Sequence, residues 1–233
     1  MLEPKVIYED SNLLVINKPP GLQVHAAKIS GAQAAHHAAP RPIALTVVDW
    51  LVKYYPEVKN VGDDPALRPG IVHRLDKETS GVMLVARNQK YFDYLKLLFQ
   101  KHEIKKTYLA FVAGVPAKRQ GIIDAPIGIR NGTMKRSIRS AKMAKPAVTE
   151  YRVLKTLGGE GGHYSLLEIS PKTGRTHQIR VHLASIGHPV LGDRLYGPKK
   201  QPAWVDRLML HALSVEFTAA DGKRVKFEAA PPF

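Results

Sequence analysis

The sequence predicts an α+β fold built on a mixed, mostly antiparallel central β-sheet with a few flanking helices. Three observations lead there. Several segments alternate apolar and polar residues at the period of a strand, while only three repeat at helical spacing. The two kinds do not follow one another in the strand-helix-strand order of a parallel sheet. Hydrophobic residues make up 44% of the 233, enough for a sizeable core. No linker or internal repeat divides the chain, so residues 1–233 read as one domain.

Strand patterns at residues 6–8 and 13–16 open the chain, the second halted by Asn17, Pro19, Pro20 and Gly21. Residues 26–44 change character. Eight of these nineteen are alanine, with His36, His37, two prolines and no clear period, which reads as a flexible insertion. Thr46 with Asp49 three later marks a helix start, and Trp50, Leu51 and Tyr54 form its apolar stripe. Three prolines and two glycines make residues 56–70 a loop.

Residues 71–76 read as a short strand entering a turn, and 82–86 as a buried strand. Asn88 caps a helix through about His102, with Phe92, Leu95, Leu98 and Phe99 at helical spacing. Strands follow at 107–113, 122–127, 148–154 and 164–169. The glycine-rich run 158–162 fits a hairpin between the last two, and it lacks the Lys-Ser/Thr ending of a phosphate loop. A helix from Thr176 places Ile179, Leu183 and Ile186 on one face and ends at Gly187 and Pro189. Leu213, Val215 and Phe217 alternate with Ser214, Glu216 and Thr218 in a half-buried strand.

The net charge of +15, with a pI near 9.9, is costly self-repulsion unless a polyanion is nearby. Nucleic acid is the first partner to expect and a membrane surface the second. No run approaches eighteen apolar residues, which excludes a membrane-spanning helix, and the N-terminus has no signal-peptide pattern. A cytoplasmic monomer is the expectation. Without cysteine there is no disulfide, thiolate nucleophile or Cys-ligated zinc. The ten histidines form no metal set: His36 and His37 are adjacent, and His177 and His182 lie five apart rather than four.

Four segments carry candidate chemistry. In Gly70-Ile-Val-His-Arg-Leu-Asp-Lys-Glu-Thr-Ser-Gly81, Asp76 ends an apolar strand between Arg74 and Lys77. A carboxylate partly desolvated but near cations stays ionised and can act as nucleophile or base. The same residues also fit a salt-bridged turn in which Asp76 caps the Thr79 or Ser80 amides.

In Lys172-Thr-Gly-Arg-Thr-His-Gln-Ile-Arg180, Arg180 borders the apolar face and can reach an internal carboxylate, or it can snorkel to solvent. Arg175, His177 and Gln178 fall in the first helical turn, where backbone amides favour phosphate. Lys172-Thr-Gly174 also spells the lysine motif of serine β-lactamases, but no Ser-x-x-Lys accompanies it. Lys105-Lys-Thr-Tyr-Leu-Ala110 puts Tyr108 among lysines, suited to base stacking or proton transfer, or simply to a core. Residues 130–145 hold six Lys/Arg and no acid, an exposed hairpin or loop suited to phosphates.

His73-Arg-Leu-Asp76 followed by Thr79-Ser-Gly81 resembles the active-site signature of the RluA-type pseudouridine synthases. Seven specified residues in nine match by accident about once per billion starting positions at equal residue frequencies. Asn17-Lys-Pro-x-Gly-Leu22, Lys106-Thr-Tyr108-Leu-Ala110 and Gly174-Arg-Thr-His-Gln-Ile-Arg180 resemble further family motifs in the right order. His188-Pro-x-x-Gly-Asp193 and Leu210-His-Ala212 follow, so the resemblance covers roughly residues 5–230.

The resemblance implies a cofactor-free isomerase, metal-independent, with a catalytic cleft across its sheet. It would convert uridine to pseudouridine in structured RNA, either a 23S-type rRNA or a tRNA. By matched position Asp76 is the catalytic aspartate, Tyr108 the active-site tyrosine, and Arg180 the arginine that pairs with Asp76. Arg74 resembles the arginine that holds the nucleotide out of the stack. Lys106, Arg175 and His177 are expected to contact RNA. Many relatives carry a small S4 RNA-binding domain before the first motif, and this chain starts too close to that motif to hold one. A basic binding module without chemistry and a nucleosidase that releases free base are the competing readings.

Overall fold

The computed structural model describes residues 2–26, 46–130, 135–140, 142–159 and 162–233. The Ala-rich stretch 26–44 lies outside the described residues apart from Ala26. Asp10 starts the fold: its Oδ1 accepts from the amides of Asn12 and Leu13, each at 2.7 Å, and closes the turn between β1 (Lys5–Glu9) and β2 (Leu13–Lys18). β2 pairs antiparallel with β3 (Ser80–Ala86), and each face of this pair is covered. Leu13, Val15, Val82 and Leu84 pack against α2 (Gln89–Gln100) through Phe92, Leu95 and Leu98. Leu14, Ile16, Met83 and Val85 face α1 (Val47–Tyr54) through Val47, Trp50 and Leu51.

Both helices start where their caps dictate. Thr46 accepts from the Asp49 amide at 3.1 Å while Asp49 Oδ2 accepts from the Thr46 amide at 2.8 Å, a reciprocal capping box. Asn88 Oδ1 accepts from the Tyr91 amide at 2.9 Å.

Downstream come β4 (Lys105–Ala113), β5 (Gln120–Asp124), the short β6 (Gly128–Ile129) and β7 (Arg136–Ser137), β8 (Val148–Gly159), β9 (Gly162–Pro171), α3 (Gln178–Ser185), β10 (Leu210–Thr218) and β11 (Arg224–Glu228). The main sheet runs β1-β2-β3-β10-β4-β9-β8-β5, with β11 beside β10, while β6 and β7 form a separate ribbon. Among the described residues β3–β10 pair in parallel and every other strand pair is antiparallel, in keeping with the expected class. A second core under α3 gathers Ile179 and Leu183 against Val112, Leu167, Ile169 and Val190.

The parallel pair is short and close. Gly81 sits at φ +119°, and a Cβ there would run into the Ala212 backbone, so only glycine lets β3 and β10 meet. Thr79 and Leu210, next to this junction, line the cleft.

Three expectations are corrected. Residues 71–76 form no strand: Ile71 makes one isolated bridge to Val85, and the His73 side chain takes the next ladder position by accepting from the Leu84 amide at 2.9 Å. Helix α3 begins at Gln178 rather than Thr176, because His177 turns left-handed at φ +58° and stops the helix there. In β10 the pairing with β4 shifts between Ala212 and Ser214, so Ser214 is buried and Leu213 only half-buried, which breaks the clean alternation.

Candidate active site

Asp76 lies in the turn between the Ile71 bridge and β3, where the Thr79 amide donates to its backbone carbonyl at 3.1 Å. Two anchors hold that turn. On one side His73 accepts from Leu84 and stacks on Phe99 at 4.7 Å. Burial, with Lys106 nearby, pushes the His73 imidazole down to about 3, so it is neutral and a permanent acceptor. On the other side Lys18, fully buried, donates from Nζ to the carbonyls of Pro19 at 2.9 Å, Leu22 at 2.8 Å and Lys77 at 3.0 Å.

Arg180 reaches this turn from α3. Its Nη1 donates to Asp76 Oδ2 at 3.1 Å, while Nε and Nη2 grip Asp193 Oδ2 and Oδ1 at 2.7 and 2.8 Å. Burial alone would raise the Asp193 carboxyl. The bidentate guanidinium and the Leu195 and Tyr196 amides outweigh it and hold the group below the usual carboxylate range. Burial disfavours the Arg180 charge, but the bonds to Asp193 and then to Asp76 leave it more firmly protonated than a free arginine. Asp193 therefore orients the guanidinium, and the guanidinium orients Asp76.

His73, Asp76 and Arg180 line a cleft of about 590 Å³, a usual size for a ligand site. All seven residues singled out from the sequence line it: Arg74, Asp76, Lys106, Tyr108, Arg175, His177 and Arg180. Arg74 is exposed at the mouth and donates from Nη1 to His25 Nε2 at 3.2 Å. Burial lowers the Lys106 ammonium. Tyr108 shares its face of β4 with Lys106; burial and then the Asp76 carboxylate push its phenol far above the ordinary value. At neutral pH it therefore offers a ring and an O–H, not a phenolate base.

Arg175 and His177 precede α3 rather than forming its first turn, and Gln178 opens the helix. Gln178 is buried, and its Oε1 accepts from the Arg175 amide at 3.0 Å and from Thr173 Oγ1 at 2.6 Å. Its Nε2 donates to Val148 O and Thr149 Oγ1, so the whole side chain is spent inside the protein. Arg175 still borders the cleft, tied through Nε to the Pro146 carbonyl at 3.0 Å.

The basic run 130–145 frames a neighbouring hollow of about 740 Å³, lined by Arg130, Arg136, Arg139 and Tyr196 among others. Residues 131–134 and 141 of this run lie outside the described residues.

Sequence reasoning did not single out Lys18, Asp193 or Tyr196. Lys18 and Asp193 stood inside quoted motifs. Neither carried a periodic signal, and the partner that ties each to the site is remote: Lys77, 59 residues from Lys18, and Arg180, 13 residues from Asp193.

A family model described as RNA pseudouridylate synthase matches residues 12–185. A protein of Aquifex aeolicus (strain VF5), named as an uncharacterized RNA pseudouridine synthase, is 43% identical over 194 residues, covering 83% of this chain and 56% of that protein. The ribosomal large subunit pseudouridine synthase D of Borreliella burgdorferi is 37% identical over 222 residues, covering 95% of this chain and 63% of that one. The chain thus spans about three fifths of the length of these curated relatives. Among solved structures, human RNA pseudouridylate synthase domain containing 1 superposes with a TM-score of 0.76 at 28% identity, covering 100% of this chain and 85% of the other. The matched segment runs from β2 through Asp76, Tyr108 and Arg180 to the end of α3, and on that ground the chain belongs to the RNA pseudouridylate synthase family.

Proposed function

We propose that this chain isomerises uridine to pseudouridine at a flipped-out nucleotide of a structured RNA, with large-subunit ribosomal RNA favoured as substrate. One observation carries the reading. Among the described residues Asp76 is the only carboxylate that lines the cleft, and it is held toward the open volume by Arg180. Hydrolysis of a glycosidic bond ordinarily needs a second carboxylate to activate water. A single carboxylate suits a reaction in which sugar and base stay bound and rejoin.

The reaction breaks the N1–C1′ bond and forms C5–C1′; C5 gives up its proton and N1 gains one, so the product is an isomer. Asp76 acts on the ribose, as a nucleophile or as a base. Tyr108 provides a face against which the detached ring can turn, and burial and Asp76 hold its phenol protonated in the resting cleft. Flipping costs a few kcal/mol of stacking. Arg74, Lys106 and Arg175, which line the cleft, offset this by holding flanking phosphates, in line with the +15 charge. The relatives named for the ribosomal large subunit support that choice of RNA.

Asp76→Asn is expected to abolish tritium release from C5-labelled uridine in ribosomal RNA while RNA affinity stays within a few fold. Normal release by this variant, or free uracil as the wild-type product, would overturn the proposal.

A further inference from the structure

His177 stands in a backbone conformation that costs a non-glycine residue about 1–2 kcal/mol, and such strain persists where the surroundings hold it. Its ring is held as well. Nδ1 lies 2.9 Å from Tyr196 Oη, which itself accepts the Arg136 backbone N–H at 2.8 Å. Burial keeps the Tyr196 phenol protonated. Among the described residues that O–H has one acceptor in reach, Nδ1. Burial also outweighs the pull of Asp76 on His177, so the imidazole is neutral, and donation from Tyr196 to Nδ1 assigns its one proton to Nε2.

That Nε2–H borders the cleft 3.9 Å from Asp76 Oδ2, too far for a direct bond and close enough for one atom to bridge both. The bridging group must accept from an N–H and donate to a carboxylate. A uracil carbonyl only accepts, and its N3–H only donates. Within an RNA chain the 3′ and 5′ oxygens are esterified, so one group of the nucleotide does both: the ribose 2′-hydroxyl.

We propose that His177 and Asp76 together hold the 2′-hydroxyl of the flipped nucleotide, His177 donating through Nε2 and Asp76 accepting, so that the cleft rejects a deoxynucleotide at the reacting position. Tyr196 and the Arg136 amide are the positioning groups that fix the imidazole tautomer. This inference rests on the proposed isomerase reading.

The test uses large-subunit rRNA transcribed in vitro and incubated with the purified protein, its pseudouridines mapped by carbodiimide sequencing. The hairpin around the mapped site is then synthesised with uridine or with 2′-deoxyuridine at that one position. Binding is measured for the wild type, His177→Gly, which keeps the left-handed backbone but no donor, and His177→Asn, which tolerates that backbone and keeps an N–H.

The wild type should prefer the all-ribose hairpin by about tenfold or more. His177→Gly should lose most of that preference by weakening on the ribose hairpin alone, and His177→Asn should restore part of it. Equal weakening of His177→Gly on both hairpins, as a merely structural role demands, would overturn the inference, as would a wild type that binds both alike. No pseudouridine in the transcript would overturn the proposed function as an isomerase of large-subunit rRNA, and this inference with it. Pseudouridine formed without ribose preference would overturn only the latter.

Discussion

Two buried cations flank the Asp76 turn and are satisfied in different ways. Lys18, at 0% exposure, meets three backbone carbonyls, whereas Arg180, at 6%, meets two carboxylates. Carbonyl dipoles compensate a desolvated charge less than full anions do. Burial accordingly pushes the Lys18 ammonium down to about 7 despite the pull of Glu78 and Asp76, while Arg180 is pushed up. The difference divides the labour. Lys18 holds the backbone of the turn at Lys77, and Arg180 holds the side chain that the turn presents.

The largest effect is expected where carboxylates are stranded. Arg180→Met leaves Asp193 buried without its cation and Asp76 without its orienting partner. It should cost about 3–5 kcal/mol in urea denaturation as well as activity. A variant of wild-type stability would show that the guanidinium is not the keystone of this cluster.

Lys18→Met should cost less, about 3 kcal/mol, since it removes donors from three neutral carbonyls. It should also carry a pH signature. With the folded group near 7 and the unfolded group near 10.5, the unfolded chain binds the extra proton between those values, so this lysine makes stability rise with pH across that window. The stability gap between wild type and Lys18→Met should therefore widen from pH 7 to 10. A constant gap would mean that the carbonyls stabilise the ammonium as well as carboxylates would.

The smallest effect belongs to cations that are not buried. Arg139 and Lys142 are exposed in the basic run beside the cleft. Replacing both with glutamine should leave stability within about 0.5 kcal/mol. It should lower the slope of log affinity against log salt by about 0.7–0.9 per lost phosphate contact. An unchanged slope would place the RNA elsewhere.

Capped, periodic elements were legible from residues alone. Asn88 starts α2 and the Thr46–Asp49 box starts α1, because both signals act over three residues of chain. The seven candidate site residues were named from motifs, and the structure brings them to one cleft. What could not be read was how they are held. His73 replaces a strand bond with an imidazole, and Gln178 turns inward to take the Arg175 amide. Tyr196 reaches His177 across nineteen residues, and Asp193 reaches Arg180 across thirteen.

The sequence by itself determined the α+β class, the capped starts of α1 and α2, the strongly basic charge and which residue types gather in its motifs, since propensity, capping and charge are local properties. Only the tertiary structure decided that Asp76 has a second carboxylate behind its arginine, that the Lys18 charge is spent on backbone, and that His177 shows Nε2 to the cleft. Each depends on groups distant in sequence meeting within hydrogen-bond reach, where burial removes the water that would otherwise satisfy them.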